Sequence, residues 1–202
     1  MTVPVSGTEG YAAEADALVK QYESLSFADN HRLILHLIPT ASCRVLDIGA
    51  GTGRDAAGFA ALGHHVVAVE PTAELRTRAM ALHPSTHIEW LDDSLPDLAL
   101  LLSRGESFDV VMLTAVWMHL DAAQRQRAMP KVASLLKPGG VMSISLRYGP
   151  VPKGRRMFAV SADETVDLAT AEGVRLVLQR DGQPASLGQP GVTWTRLAFT
   201  KG

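Results

Sequence analysis

The segment Val45-Leu46-Asp47-Ile48-Gly49-Ala50-Gly51-Thr52-Gly53 restricts the fold more than any other part of the chain. An apolar run enters a turn with glycine at every second position, and a helix-compatible stretch follows. Glycine accepts the left-handed backbone that a sharp strand-to-helix turn needs, and it lets a ligand approach where a Cβ would collide. The next helix aims its unpaired N-terminal N–H groups into the same space. The segment therefore predicts a buried strand feeding a helix, with a ligand-sized recess between them.

The rest of the chain repeats this unit. Apolar runs rich in valine and isoleucine predict strands at Arg44–Ile48, His65–Val69, His87–Leu91, Asp109–Leu113 and Val141–Leu146, as central parallel strands buried on both faces require. Helical spacing places helices between them at Arg54–Leu62, Thr72–Leu82, Leu95–Leu102 and Asp121–Leu136. The last begins with Asp121 and Gln124 at capping-box spacing. Pro130 inside it predicts a kink or a restart, and Lys137-Pro138-Gly139-Gly140 predicts a tight turn after it. Ser161 and Glu164 predict a second capping box before a helix ending at Gly173. Val174–Gln179 and Val192–Thr200 read as an antiparallel edge pair. The first 40 residues read as two helices, Glu9–Tyr22 and Ala28–Leu37, packed as a lid on a single domain formed by residues 41–202.

A carboxylate stands at the end of the second strand. Glu70, 17 residues beyond Gly53, lies beside the glycine turn in a doubly wound sheet, where it can accept both hydroxyls of a ribose. The Asp47, Gly49, Gly51, Gly53 pattern, Glu70, the acidic Asp92-Asp93 after the third strand, Phe108-Asp109-Val110-Val111 on the fourth and Leu136-Lys137-Pro138-Gly139-Gly140 before the fifth occur in one order from Arg44 to Leu146. In that order they resemble the class I S-adenosylmethionine-dependent methyltransferases.

The resemblance implies an α/β, Rossmann-like, doubly wound sheet of seven strands, mostly parallel with one antiparallel edge strand and with helices on both faces. It implies S-adenosylmethionine (SAM) as cofactor and S-adenosylhomocysteine (SAH) as product. Gly49, Ala50 and Gly51 would line the methionine part and Glu70 would hold the ribose, with Asp47, Gly53 and Pro71 as further cofactor contacts. Asp92 or Asp93, with Asp92 preferred, would meet the adenine amino group. Thr114 and Ala115 would face the methionine end or the methyl. The nearest rival, a nicotinamide-binding domain, wants Gly-x-Gly-x-x-Gly, and Arg54 occupies its third glycine position. A SAM-binding protein without catalysis remains a second alternative, since binding and turnover share these residues.

Candidates for the reaction lie near the same rim. His119 would act as general base or simply order its loop. Trp117 would wall the pocket, contact the sulfonium by cation–π attraction, or pack in the core. Tyr11 and Tyr22 would close the pocket, and Arg147 and Tyr148 follow the fifth strand towards it. Lys153, Arg155 and Arg156 would join Arg147 in receiving an anion or form a solvated basic loop. Cys43 reads as a small hydrophobe, and the histidines make no zinc set.

Composition narrows the partners. With 202 residues the chain builds one core, and a net charge of -2 with no basic appendage argues against nucleic acid. No Asn-Pro-Pro-aromatic stretch follows the fourth strand, so a small-molecule methyl acceptor is expected by elimination. Met1 to Tyr11 does not read as a secretory signal, no run approaches the length of a membrane span, and a lone cysteine makes no internal disulfide. A cytoplasmic protein without membrane contact is expected, and its oligomeric state is left open.

Overall fold

The computed structural model describes residues 5–202. Seven strands form one sheet: β1 (Arg44–Ile48), β2 (His65–Val69), β3 (Ile88–Leu91), β4 (Phe108–Leu113), β5 (Leu136–Tyr148), β6 (Val174–Pro184) and β7 (Thr193–Lys201), in the order β3-β2-β1-β4-β5-β7-β6. The first five are parallel, and β7 runs antiparallel between β5 and the edge strand β6. Because the strand order reverses between β1 and β4, the crevice above their C-terminal ends is the natural ligand position.

Strand alternation divides the core in two. Val45, Val66, Val110, Met112 and Ala198 pack with Phe59, Ile34 and α3 (Arg54–Ala61) on one face. Leu46, Ile48, Val67, Val111, Ile144, Leu197 and Phe199 pack on the other with α6 (Ala122–Leu135). The helices α4 (Ala73–Leu82), α5 (Ala99–Ser103) and α7 (Ala162–Ala171) complete the layers. Among the described residues no helix is long and apolar enough to cross a membrane.

The glycine turn behaves as its composition demands. Gly49, Gly51 and Gly53 have φ of 72°, 57° and 85°. The Gly49 and Ala50 N–H groups both donate to the Val69 carbonyl, which ties the turn to the end of β2. A Cβ on Gly49 would stand 2.5 Å from Val116 Cγ2. Gly49→Ala is therefore expected to cost about 1–2 kcal/mol for the left-handed backbone and about 1–3 kcal/mol more for overpacking. Chemical denaturation measures the sum. Val116→Ala in the same chain should recover only the overpacking part.

Several elements depart from expectation. The first helix is not Glu9–Tyr22 but α1 (Ala15–Tyr22), because Gly10 has a φ of 78° and residues 10–14 form turns. In place of Ala28–Leu37 stand α2 (Phe27–His31), capped by Ser26, and a 3-10 turn at Leu35–Leu37. They are separated where fully buried Ile34 enters the core. The start of the expected Leu95–Leu102 helix is irregular because Leu98 is left-handed, φ 46°, and α5 begins only at Ala99.

α6 runs unbroken through Pro130, without a restart. The residue lies on an exposed face, where water can satisfy the carbonyl one turn back that loses its N–H partner. Lys137–Gly140 is not a separate turn but a bulge within β5, which shifts register between Phe108 and Val110 of β4. Asp121 and Gln124 close a complete capping box. At α7 Ser161 accepts the Glu164 N–H, but the Glu164 carboxylate is held by the buried Arg125 fork at 2.9–3.0 Å.

Candidate active site

The glycine turn, the ends of β1, β2, β4 and β5, the N-terminal segment and the β6–β7 connection enclose one cleft of about 480 Å3. At its floor Glu70 is buried at the end of β2. Its Oε2 accepts the Gly51 N–H at 2.8 Å and its Oε1 the Thr72 N–H at 2.8 Å. Each oxygen keeps a lone pair for a further donor. Burial pushes this carboxyl above the usual range even though the two backbone donors and Arg76 oppose it.

Asp47, near the end of β1, is buried, with no partner for Oδ2 among the described residues. Burial raises its carboxyl well above the ordinary value, and the charges of Asp55 and Glu70 add to the rise. A buried carboxylate oxygen without a donor is costly unless a ligand supplies one. Asp55 is different. Burial alone would raise it, but His31 Nε2 at 2.8 Å and Arg54 at 2.7 Å hold it far below the usual carboxylate range. Arg54 also reaches the Tyr22 carbonyl, so the first residue of α3 binds the turn to the N-terminal segment.

The opposite wall carries a tyrosine–histidine pair. His119 Nδ1 lies 2.8 Å from the Arg156 carbonyl, which can only accept, so Nδ1 carries the proton. His119 Nε2 then accepts the Tyr11 hydroxyl at 3.0 Å. Burial lowers the His119 pKa and raises that of Tyr11, so the pair is neutral. Arg155 lies 4.1 Å above the Tyr11 ring and pairs with Glu14 at 2.6 Å.

Asp47, Gly49, Ala50, Gly51, Glu70, Pro71, Asp93, Thr114, Ala115, Tyr11, Tyr22, His119 and Arg147 all line the cleft. Six of the expected site residues do not. Gly53 backs onto the β3 side, where a Cβ would meet Trp90 at 2.8 Å. Asp92 points outward and pairs with Arg76 at 2.8 Å, while Asp93 faces inward and accepts the Ser94 and Leu101 N–H groups. Trp117 is fully buried in the core beside α6, and Tyr148 packs on that same core. Lys153 also lies off the lining.

Arg155 lines the recess and Arg156 lies off it, and both act as ties: Arg156 bonds the Ser6 hydroxyl and stands 3.8 Å from Glu9. Cys43 is half-buried with Sγ 3.3 Å from His64 Nδ1, away from the cleft. Sequence reasoning missed His31, Asp55, Arg54, Glu23 (which accepts the Thr52 hydroxyl) and Arg196. Only Asp55 offered a local signal, as an acid in the first turn of α3.

Residues 45–140 match the family model of a methyltransferase domain. This stretch, from β1 to the start of β5, is similar to methyltransferase domains. The chain is 35% identical over 115 residues to an uncharacterized methyltransferase of Mycobacterium tuberculosis, a match covering 54% of this chain and 41% of the relative. The chain thus spans less than half the length of that curated relative. The fold superposes with TM-score 0.71 on the N-methyltransferase NodS of Bradyrhizobium japonicum bound to SAH, at 19% identity over 94% of this chain and 97% of that one. It superposes equally, TM-score 0.71, on the cyclase SpnF at 15% identity over 100% and 98%. Identities this low establish shared architecture and leave the reaction to the site.

The NodS structure of this fold holds SAH, and the cleft residues here fit a ligand of that kind. Asp47 Oδ2 is an orphan acceptor for an ammonium group. Glu70 offers two part-used oxygens to a diol. A Cβ on Gly51 would enter open space, with only the Gly49 carbonyl at 3.9 Å, as expected of a backbone cradle left clear for a ligand.

Proposed function

We propose that this protein transfers the methyl group of SAM to a small-molecule acceptor, with Glu70 holding the ribose, Asp47 the amino group, and the Tyr11–His119 pair receiving the acceptor's proton. The observation that carries the reading is the junction in one cleft of two different chemistries. A buried donor-starved acidic floor lies under the glycine turn, and a neutral base with a defined tautomer stands opposite it. Bound there, the cofactor supplies a methyl group already activated on a sulfonium.

The chain must then orient the acceptor and take a proton. Orientation of two reactants is worth roughly 7–11 kcal/mol of barrier. His119 accepts the proton at Nε2, either directly after Tyr11 moves aside or through the Tyr11 hydroxyl. The resulting imidazolium keeps its Nδ1–H bond to the Arg156 carbonyl. Residues 5–25 act as cover for this reaction, since Tyr11, Gln21, Tyr22 and Leu25 close one side of the cleft. Asp93 rather than Asp92 is the acid placed to meet the adenine, although its backbone bonds to Ser94 and Leu101 also make it a loop fastener.

The test is SAM turnover against a panel of phenols, amines, thiols and carboxylic acids, alongside calorimetric titration of SAH. SAH binding with turnover supports the reading. SAH binding without SAH formation from any acceptor favours a binding protein without transfer. Tight NADH binding with none of SAH overturns the assignment.

A pH-linked consequence follows from Asp47. An ammonium beside Oδ2 favours the ionised carboxylate, so the bound-state pKa falls below the raised free-state value. Between the two values binding releases a proton. Affinity for SAH is expected to rise with pH across that window, by at most about tenfold per pH unit, and to level off above it. Calorimetry in two buffers of different ionisation enthalpy reads the released proton, and Asp47→Asn is expected to abolish it.

A further inference from the structure

Two arginines in the cleft lack an anionic partner among the described residues. Arg196 on β7 donates through Nη2 to the Asn30 carbonyl at 3.1 Å, while its buried Nη1 has no partner. Burial lowers its pKa to about 10, against the opposing charge of Asp55, whose oxygens are already taken by His31 and Arg54. Arg147 on β5 is half-buried, and its only side-chain bond is a 3.9 Å contact from Nη1 to Met157 Sδ. Every other arginine of the cleft is committed, Arg54 to Asp55 and Arg155 to Glu14.

Strand register puts these two cations together. Ser145 pairs with Arg196 and Arg147 with Trp194 across the β5–β7 ladder. Side chains two residues apart share a face, so Arg147, Trp194 and Arg196 stand on the same face of the sheet, the one covered by α3. They also line the same end of the cleft, with Met157, Pro184 and Leu187. β7 is three strands away from Asp47 on β1, a separation of roughly 14 Å at the usual strand spacing. Although Asp55 and Arg54 act electrostatically on both Asp47 and Arg196, Arg196 makes no ion pair with Asp47 among the described residues, which leaves its unused N–H to the acceptor.

We infer that the methyl acceptor carries a carboxylate on a flat apolar body, and that Arg196 and Arg147 bind the carboxylate while Trp194 and Met157 contact the body. The inference rests on the methyltransferase reading and adds the acceptor class to it. A buried guanidinium with an unused N–H is unfavourable in the free protein, and an incoming carboxylate relieves this with two parallel N–H···O bonds. The nucleophilic group of the same molecule then extends towards Tyr11 and His119, which share the cleft with Arg147.

The experiment uses the full chain saturated with SAH and titrates benzoate, phenylacetate and 4-hydroxybenzoate, each beside its primary amide, with phenyl phosphate as a further arm. At least one acid is expected to bind about tenfold or more tightly than its amide, as charge-assisted bonds imply. Arg196→Gln and Arg147→Gln should each remove most of that preference while leaving SAH affinity unchanged. The ligand-free Arg196→Met protein is expected to melt no lower than the parent, because it loses an unpaired buried cation.

Equal affinities for every acid and amide would overturn the inference, as would a preference that survives both glutamine variants. Tighter binding of phenyl phosphate than of any acid would replace the carboxylate by a phosphoryl group. A large fall in the melting temperature of Arg196→Met, with acid preference retained in Arg147→Gln, would make the pair structural. Failure of SAH itself to bind would remove the methyltransferase reading as well, whereas SAH binding without acid preference removes this inference alone.

Discussion

Glu70→Gln is expected to weaken SAH binding by about 10- to 150-fold, the range for loss of a charge-assisted hydrogen bond worth about 1.5–3 kcal/mol. The carboxylate in the parent accepts the Gly51 and Thr72 N–H groups, and each oxygen keeps capacity for a further donor. Glutamine keeps one oxygen but places an NH2 group against one of those N–H donors. A repelled or unpaired buried donor costs about 1–3 kcal/mol, so a lower melting temperature accompanies the loss of affinity. Alanine would free both N–H groups and confuse the two effects more severely. Calorimetric titration of SAH with a parallel melt separates them, and an unchanged dissociation constant would remove Glu70 from the ribose.

His119→Asn is expected to lower turnover by about 10²–10⁴-fold, the usual worth of a positioned base, with SAH affinity nearly constant. Asparagine is chosen because its side-chain NH2 can replace Nδ1–H in the bond to the Arg156 carbonyl, which keeps residues 156–158 in place while deleting the lone pair at Nε2. Burial already holds the His119 pKa below the ordinary histidine value of about 6.5. With the neutral ring as the proposed base, the rate should fall as pH drops through that depressed pKa and stay flat above it. In the asparagine variant this acid limb disappears. Tyr11→Phe distinguishes the two proton routes. A comparable loss identifies the tyrosine hydroxyl as a relay, and a small loss identifies direct attack on the proton by His119. Unchanged turnover in His119→Asn would take the residue out of the chemistry.

What was legible in the sequence was local. The glycine turn could be read because its three positions need positive φ, and the strands because burial on both faces leaves them nearly without polar residues. Glu70 followed from its place at a strand end. The errors came where one residue of phase decides which side a chain faces. Asp92 and Asp93 are neighbours in extended chain, and only the second points into the cleft. Arg147 and Tyr148 divide in the same way, the arginine towards the site and the tyrosine into the core. For Trp117, just beyond β4, the core alternative holds: the 3-10 turn at Trp117–His119 swings the indole inward while His119 remains on the lining. The cluster of His31, Arg54 and Asp55 and the unpaired Arg196 join segments far apart in sequence. No spacing rule addresses such contacts, because they depend on how the layers dock.

The hydrogen bond from Tyr11 to His119 has a consequence for the resting protein. The histidine's one free lone pair is already engaged, and the group engaging it belongs to the segment that shields the cleft. Under the proposed methyl-transfer reading, a stray water would find no proton acceptor ready to sharpen it into a nucleophile, and an idle molecule with SAM bound would waste little of its activated methyl group. Only a guest bulky enough to dislodge the phenol, or acidic enough to hand its proton along it, would then switch the machinery on.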